Sequence, residues 1–190
     1  MTLQQRPSQT IRYRGEDYEF HPYFNRVLTI LTEVLPSELL SDGEKVEITI
    51  TSLSEAPICK DVFELILLEL FPKKDKQRDE KTMDFEQDAG LIYSGFLQAY
   101  GIDLFEERNR MDWRIFVELV RGLPESTEFS RVVKLRCTKI PKRTKTNGDY
   151  VDSLIEAKRS IALKISAEDR KKKMAQKWLR VAEGLMNVRR

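Results

Sequence analysis

One segment, residues 84–100, constrains the fold more than any other, because apolar side chains surround almost the whole circumference of the helix that it predicts. These apolar residues are Phe85, Ala89, Leu91, Ile92, Tyr93, Phe96, Leu97 and Tyr100. Asp84 and Gln87 form a capping pair at the start, and Gly101 suits the left-handed position that follows a helix. A helix that is apolar nearly all round needs neighbours on every side. We therefore expect this helix at the centre of the fold.

Most of the remaining chain shows the same helical periodicity. Apolar residues at 3.6-residue spacing predict helices at 22–35, 61–71, 112–121, 127–136, 150–165 and 167–188. Near the N-terminus, two short alternating runs at 11–14 and 17–20 flank Gly15 and predict a β-hairpin. The expected fold class is therefore mainly α, a single compact multi-helix domain with a small N-terminal β-hairpin.

Segment 46–53 fits two structures. Its β-branched centre, 48–51, has the composition of a strand, whereas its apolar residues share one face of a helix. Ser41 and Glu44, just before it, have the spacing of a capping box. The sequence alone leaves both structures open, and we predict a helix.

Length and composition favour one folded domain with arms at its ends. The chain has 190 residues, of which 41% are hydrophobic and 34% charged, so it can form a core and is not natively disordered. We predict a flexible N-terminus at 1–10, a helical domain at 11–165 with a charged loop at 73–82, and a basic amphipathic helix at 166–190. No apolar run approaches the ~20 residues that a bilayer requires, and we expect a soluble cytoplasmic protein.

Charge is distributed unevenly along the chain. From Arg131 onward, 18 Lys/Arg and 6 Asp/Glu give a net charge of +12. The remaining 15 Lys/Arg and 25 Asp/Glu of the totals 33 and 31 give −10 before that residue. Three interpretations remain open: opposed charges that attract within one fold or between copies, a face for an anionic partner such as nucleic acid, and plain solvation.

The residues of the common catalytic and metal sites are missing or badly spaced. His21 is the only histidine, so a His/His zinc pair is impossible, and the isolated Cys59 and Cys137 form no CxxC motif. Two isolated cysteines suit a reduced cytosolic protein. Gly90 and Gly95 have the spacing of P-loop glycines, but no Lys-Ser/Thr pair follows them. Close helix packing explains these glycines better.

An acidic run at the start of the 84–100 segment resembles part of a calcium loop. Asp84, Glu86 and Asp88 stand at the spacing of its first three ligands, but Ala89 occupies the position that requires glycine. Carboxylates favoured by a helix N-terminus explain the run better. We expect no enzymatic activity, no metal and no cofactor.

Two segments are candidate binding surfaces. The first is a C-terminal apolar stripe at spacings of 4, 3, 4 and 3, formed by Met174, Trp178, Val181, Leu185 and Val188. It either packs on the domain's own core or docks on a partner helix. The second is a basic patch, formed by Lys139, Lys142, Arg143 and Lys145. It is either a solvated loop or a contact for an acidic partner or nucleic acid.

Several stretches together resemble a known family. They are DFEQDAGLIYSGF at 84–96, QAYGIDL at 98–104, DWRIF at 112–116 and RGLPEST at 121–127. These are similar to the bacteriophage gene-product-fifteen family of long-tailed phages and prophages of Gram-positive bacteria. The order of elements matches from the hairpin near Tyr13 to about Ala162.

The resemblance implies an assembly factor instead of an enzyme. The gene of this family lies between those for the major tail protein and the tape measure protein, the position of tail assembly chaperones. Such a chaperone would coat the tape measure protein, hold it extended and help recruit tail tube subunits. The implied partners are the tape measure protein, the major tail protein and a second tail chaperone. Self-association is expected separately, from the opposed charges of the two parts of the chain. The chaperone would act in the host bacterial cytoplasm and be absent from the mature virion. The alternative from the residues is a small basic-faced nucleic-acid-binding factor.

Overall fold

The computed structural model describes residues 7–71 and 82–164. It begins with the expected hairpin, in which β1 (Thr10–Tyr13) pairs antiparallel with β2 (Glu16–Glu19). Tyr13 faces Glu16 across the two-residue loop, where Arg14 and Gly15 both have positive φ values of 51° and 89°. Such a loop matches the right-handed twist of the strands that it connects.

Seven α-helices follow within the described ranges. They are α1 (Phe24–Thr29), α2 (Asp42–Leu53), α3 (Lys60–Leu70), α4 (Ala89–Tyr100), α5 (Trp113–Arg121), α6 (Glu128–Cys137) and α7 (Gly148–Ser160). The first continues into a π-helical turn at Ile30–Val34. The mainly α fold class with an N-terminal hairpin is therefore confirmed.

The ambiguous segment 46–53 is helical, as predicted. The Glu44 backbone N–H donates to Ser41 Oγ at 3.3 Å, and the Ser41 N–H donates to Glu44 Oε2 at 2.8 Å. This capping box begins α2, and burial of Ile50 and Leu53 against the core completes it. Packing and the cap outweigh the modest helix propensity of the β-branched residues.

The helix expected over 84–100 differs from the prediction in two respects. It begins at Ala89, because Asp84 caps a separate turn instead, accepting hydrogen bonds from the N–H groups of Glu86 and Gln87 at 3.0 Å each. It is also not covered on every side. Ile92 and Phe96 are buried, but half of Leu97 is exposed. The predicted end is correct, since Gly101 has a left-handed φ of 65°.

The core is built around packed aromatic rings from α1, α4 and α5. Phe116 stacks on Phe24 with ring centroids 4.9 Å apart and on Phe96 with centroids 5.4 Å apart. Trp113 contacts Phe116 at 5.7 Å and Phe85 at 5.4 Å, the latter edge to face. Trp113, Phe116 and Phe96 are all at most 2% exposed. The predicted core of Trp113, Phe116 and the apolar helix is thus present.

The chain divides into two units, Met1–Lys139 and Ile140–Arg190. The first contains the hairpin and α1 to α6, and the second contains α7. The predicted boundaries at 11, 165 and 166 stay predictions. Residues 1–6, 72–81 and 165–190 lie outside the described residues, and with them most of the predicted charged loop and the whole basic C-terminal helix.

Two glycines, one inside α4 and one just after it, predict stability changes of opposite sign. Gly101→Ala forces a side chain into the left-handed region and should destabilise the protein by about 1 kcal/mol. Gly90→Ala adds a Cβ that meets nothing within 4 Å, so it should stabilise the helix by about 0.5–1 kcal/mol. Urea denaturation of the two variants measures both values. A stabilising Gly101→Ala would show that the C-terminal cap is misplaced.

Candidate partner-binding surfaces

The predicted basic patch lies in irregular chain between α6 and α7. Lys139 ends the first unit, and Lys142, Arg143 and Lys145 lie in the loop that begins the second. All four side chains are exposed, but the Arg143 guanidinium donates to both carboxylate oxygens of Asp152, at 2.7 and 2.9 Å. One of the four cations is therefore neutralised within its own unit.

The predicted C-terminal stripe, Met174 to Val188, lies outside the described residues, so its role as a binding surface stays a prediction. The structure instead reveals an apolar surface that the sequence did not single out. It consists of Tyr93 and Leu97 on α4 and Phe105 in the turn that follows, and we call these three residues the aromatic patch. The Tyr93 and Phe105 rings are 5.1 Å apart, and Leu97 lies one helical turn beyond Tyr93.

Phe105 is the most exposed member of the aromatic patch, and its backbone is held firmly. Its side chain is 69% exposed. Its N–H donates to Asp103 Oδ1 at 2.8 Å, and the N–H groups of Glu106 and Glu107 donate to the Asp103 carbonyl at 3.1 and 3.2 Å. The neighbouring Leu104 is buried in the core and anchors the turn. A phenylalanine displayed on an ordered turn loses little entropy when a partner covers it.

Carboxylates border the aromatic patch at Tyr93. The Tyr93 hydroxyl donates to Asp103 Oδ2 at 3.4 Å. Partial burial raises the pKa of Tyr93, and the negative charges of Asp103 and Glu106 raise it further. We call Asp103 and Glu106 the acidic rim. A neutral phenol beside two carboxylates suits a partner with apolar and cationic side chains.

A second surface feature is an open pocket of about 410 Å³ between the hairpin and the start of α3. It is lined by Tyr13, Arg14, Glu16, Tyr18, Pro57 and Cys59. Cys59 is the N-cap of α3, and its side chain makes no capping hydrogen bond. Its pKa is lowered, first by the Val62 backbone N–H and then by the Tyr13 hydroxyl, because both stabilise the thiolate.

Among the described residues, no histidine or second cysteine lies against the Cys59 thiol as a catalytic partner. The single histidine is engaged elsewhere, with His21 Nε2 3.0 Å from Glu19 Oε2 and its ring stacked on Tyr23. The other cysteine, Cys137, is exposed at the end of α6. Within residues 7–71 and 82–164, no group of three or more His, Cys, Asp and Glu side chains could hold a metal ion.

The acidic run at 84–88 has a structural role. Asp88 is 1% exposed and accepts two hydrogen bonds from the Arg136 guanidinium at 2.7 and 2.9 Å. Its Oδ2 also accepts the Asp84 N–H at 2.9 Å. These bonds connect the beginning of α4 to the end of α6. The predicted close packing at the two glycines is confirmed for Gly95, because a Cβ added there would lie 3.1 Å from Leu123. At Gly90 an added Cβ would meet nothing within 4 Å.

A family model described as "Bacteriophage Gp15 protein" matches residues 4–163, most of the chain. The chain belongs to the bacteriophage Gp15 family. This match confirms the family resemblance that the four sequence stretches indicated. The Gp15 family member is therefore a bacteriophage protein. Neither a curated protein nor a solved structure matches the chain. In the described part of the chain, no helix is both long and apolar enough to span a membrane.

The sequence carried only part of the signal for the aromatic patch. Leu97 lies off the main apolar face of α4, but the sequence predicted a helix with neighbours on every side, and half of Leu97 is exposed instead. Phe105 has no helical periodicity to mark it, and only the fold shows that it lies against Tyr93.

Proposed function

We propose that this Gp15 family member is a non-enzymatic tail assembly chaperone that binds the tape measure protein and aids tail tube assembly. Family membership over residues 4–163 carries this proposal. The family resemblance supplies the partner, because its gene lies between those for the major tail protein and the tape measure protein. The protein would act in the host bacterial cytoplasm and be absent from the mature virion.

Surface chemistry supports a binding role. The aromatic patch presents Phe105, whose ring lies against Tyr93, and Leu97 to solvent at 69% and 49% exposure, and exposed apolar groups that lie together mark interaction sites. A tape measure protein is a long, helix-rich chain whose apolar faces need cover before the tail tube encloses it.

The contacts of the potential catalytic residues favour a protein without enzymatic activity. A nucleophilic cysteine needs an adjacent base. Among the described residues, the groups that act on the Cys59 thiol are the Tyr13 hydroxyl, Asp61 and the backbone N–H of Val62, and His21 is paired with Glu19. We therefore propose no catalytic residue, metal or cofactor for the assembly function.

The expected result of co-expression is that the chain keeps the tape measure protein of the same phage soluble. Trp178→Glu combined with Leu185→Glu should abolish this solubilisation without loss of helicity if the C-terminal stripe grips the partner. Unfolding of that double variant, seen by circular dichroism, would show that the stripe packs on its own core. Leu39→Glu is the matched control, since Leu39 is 95% exposed and lies outside both surfaces.

The alternative function is nucleic-acid binding through the basic patch, and the purified full-length chain can be tested for it. The pairing of Arg143 with Asp152 reduces the charge available to phosphate groups. Nucleic-acid binding that falls steeply with salt, and falls further in Lys142→Ala with Lys145→Ala, would support the alternative. We expect neither effect.

A further inference from the structure

The aromatic patch is an apolar surface within an acidic part of the chain. Phe105 is 69% exposed and Leu97 is 49% exposed, so both are open to solvent. The acidic rim, Asp103 and Glu106, lies beside Tyr93. Residues 1–130 carry a net charge of −10, since they hold 15 Lys/Arg and 25 Asp/Glu. A suitable occupant therefore combines apolar side chains with positive charge.

The C-terminal end of the same chain has this chemistry. Segment 171–188 contains five Lys/Arg and one Asp/Glu, a net charge of +4. Its large apolar residues recur at spacings of 4, 3, 4 and 3, a sequence pattern that predicts a single apolar face. The basic residues of the segment are Lys171, Lys172, Lys173, Lys177 and Arg180. Apolar groups would cover the aromatic patch while these cations meet the acidic rim.

We propose that segment 171–188 of one copy docks on the aromatic patch of a second copy. The patch and the segment are different surfaces, so the contact is heterologous. A pair of copies therefore keeps an unused patch on one copy and an unused segment on the other. These unused surfaces can each bind a further copy in the same way. The choice of a second copy rests on the proposed function, because a protein that coats a long chain needs contacts between successive copies.

The first test uses the purified full-length chain alone, without a tape measure protein. Size-exclusion chromatography with light scattering should show association that rises with protein concentration. Phe105→Glu should weaken it at least about tenfold, because it places a charge at the centre of the contact. Trp178→Glu with Leu185→Glu should weaken it equally. Leu39→Glu introduces the same side chain at a position 95% exposed and should leave it unchanged.

The second test mixes the two defective proteins. The Phe105→Glu protein retains its segment, and the Trp178→Glu/Leu185→Glu protein retains its patch. The mixture contains one usable pair of surfaces, so it should form 1:1 dimers and nothing larger. Circular dichroism of each variant establishes that both are folded before mixing.

Three results would overturn the inference: a wild-type chain that stays monomeric to about 100 μM, association unaffected by Phe105→Glu, or folded variants that fail to pair when mixed. A monomeric chain is also expected if segment 171–188 docks on the patch of the same molecule. That outcome too rejects the proposed contact between copies. No tape measure protein is present in these experiments. Their outcome therefore does not decide whether the wild-type chain solubilises the tape measure protein, which tests the proposed function separately.

Discussion

Trp113→Ala should lower the free energy of unfolding by about 3–5 kcal/mol, the range for removing a large aromatic side chain from a core. Trp113 is 2% exposed, and its ring contacts those of Phe71, Phe85 and Phe116 at 5.4–6.0 Å. Its backbone N–H also donates to the Pro22 carbonyl at 2.7 Å, but the substitution leaves that bond in place. The expected loss comes from apolar contacts and from the cavity left behind.

Chemical denaturation followed by circular dichroism measures the change. Leu39→Ala is the control, because that side chain is 95% exposed and its removal should change stability by no more than about 0.5 kcal/mol. A loss below about 1 kcal/mol for Trp113→Ala would mean that the ring is exposed and that the aromatic core is misplaced.

Asp88→Ala should cost roughly 3–5 kcal/mol, because it removes the carboxylate that pairs with the largely buried Arg136 guanidinium, which also donates to the Thr82 carbonyl at 3.2 Å. The side chains of Asp88 and Arg136 are 2% and 13% exposed, and two hydrogen bonds join them. Asp88 also accepts the Asp84 N–H, so the turn before α4 loses an anchor as well.

Arg121→Ala provides the matched control for this ion pair. Its partner is Glu118, at a comparable distance of 2.6 Å, but both side chains are about half exposed. An exposed pair contributes at most about 1 kcal/mol. If both variants lose the same free energy of unfolding, the Asp88–Arg136 pair is solvated. It would then not connect α4 to α6.

Local signals explain why the sequence predicted the hairpin and most of the helices in the described part of the chain. Ser41, Asp112 and Thr127 each accept a backbone hydrogen bond at the N-terminus of a helix, and Gly101 ends another in a left-handed conformation. These roles depend on side chains within a few residues of the helix end. A single sequence contains all of the information that they need.

Contacts between distant residues were not predictable in this way. Asp88 looked like part of a helix start, yet its main partner, Arg136, is 48 positions away. Arg114 donates to the Ser8 carbonyl at 2.7 Å across 106 positions. The aromatic patch depends on the same kind of information, because the fold decides whether Phe105 meets a neighbour or solvent. Sequence periodicity shows which residues are apolar, and the fold shows which of them stay uncovered.

Co-purification with the tape measure protein of the same phage tests the chaperone proposal most directly. The full-length chain, tagged and co-expressed, should retain the tape measure protein on an affinity column at about 0.5 M NaCl, where exposed charge pairs are strongly screened and an apolar contact persists. Leu39→Glu should retain it equally. A tape measure protein that stays insoluble, or that is absent from the eluate even at 0.15 M NaCl, would contradict the proposal.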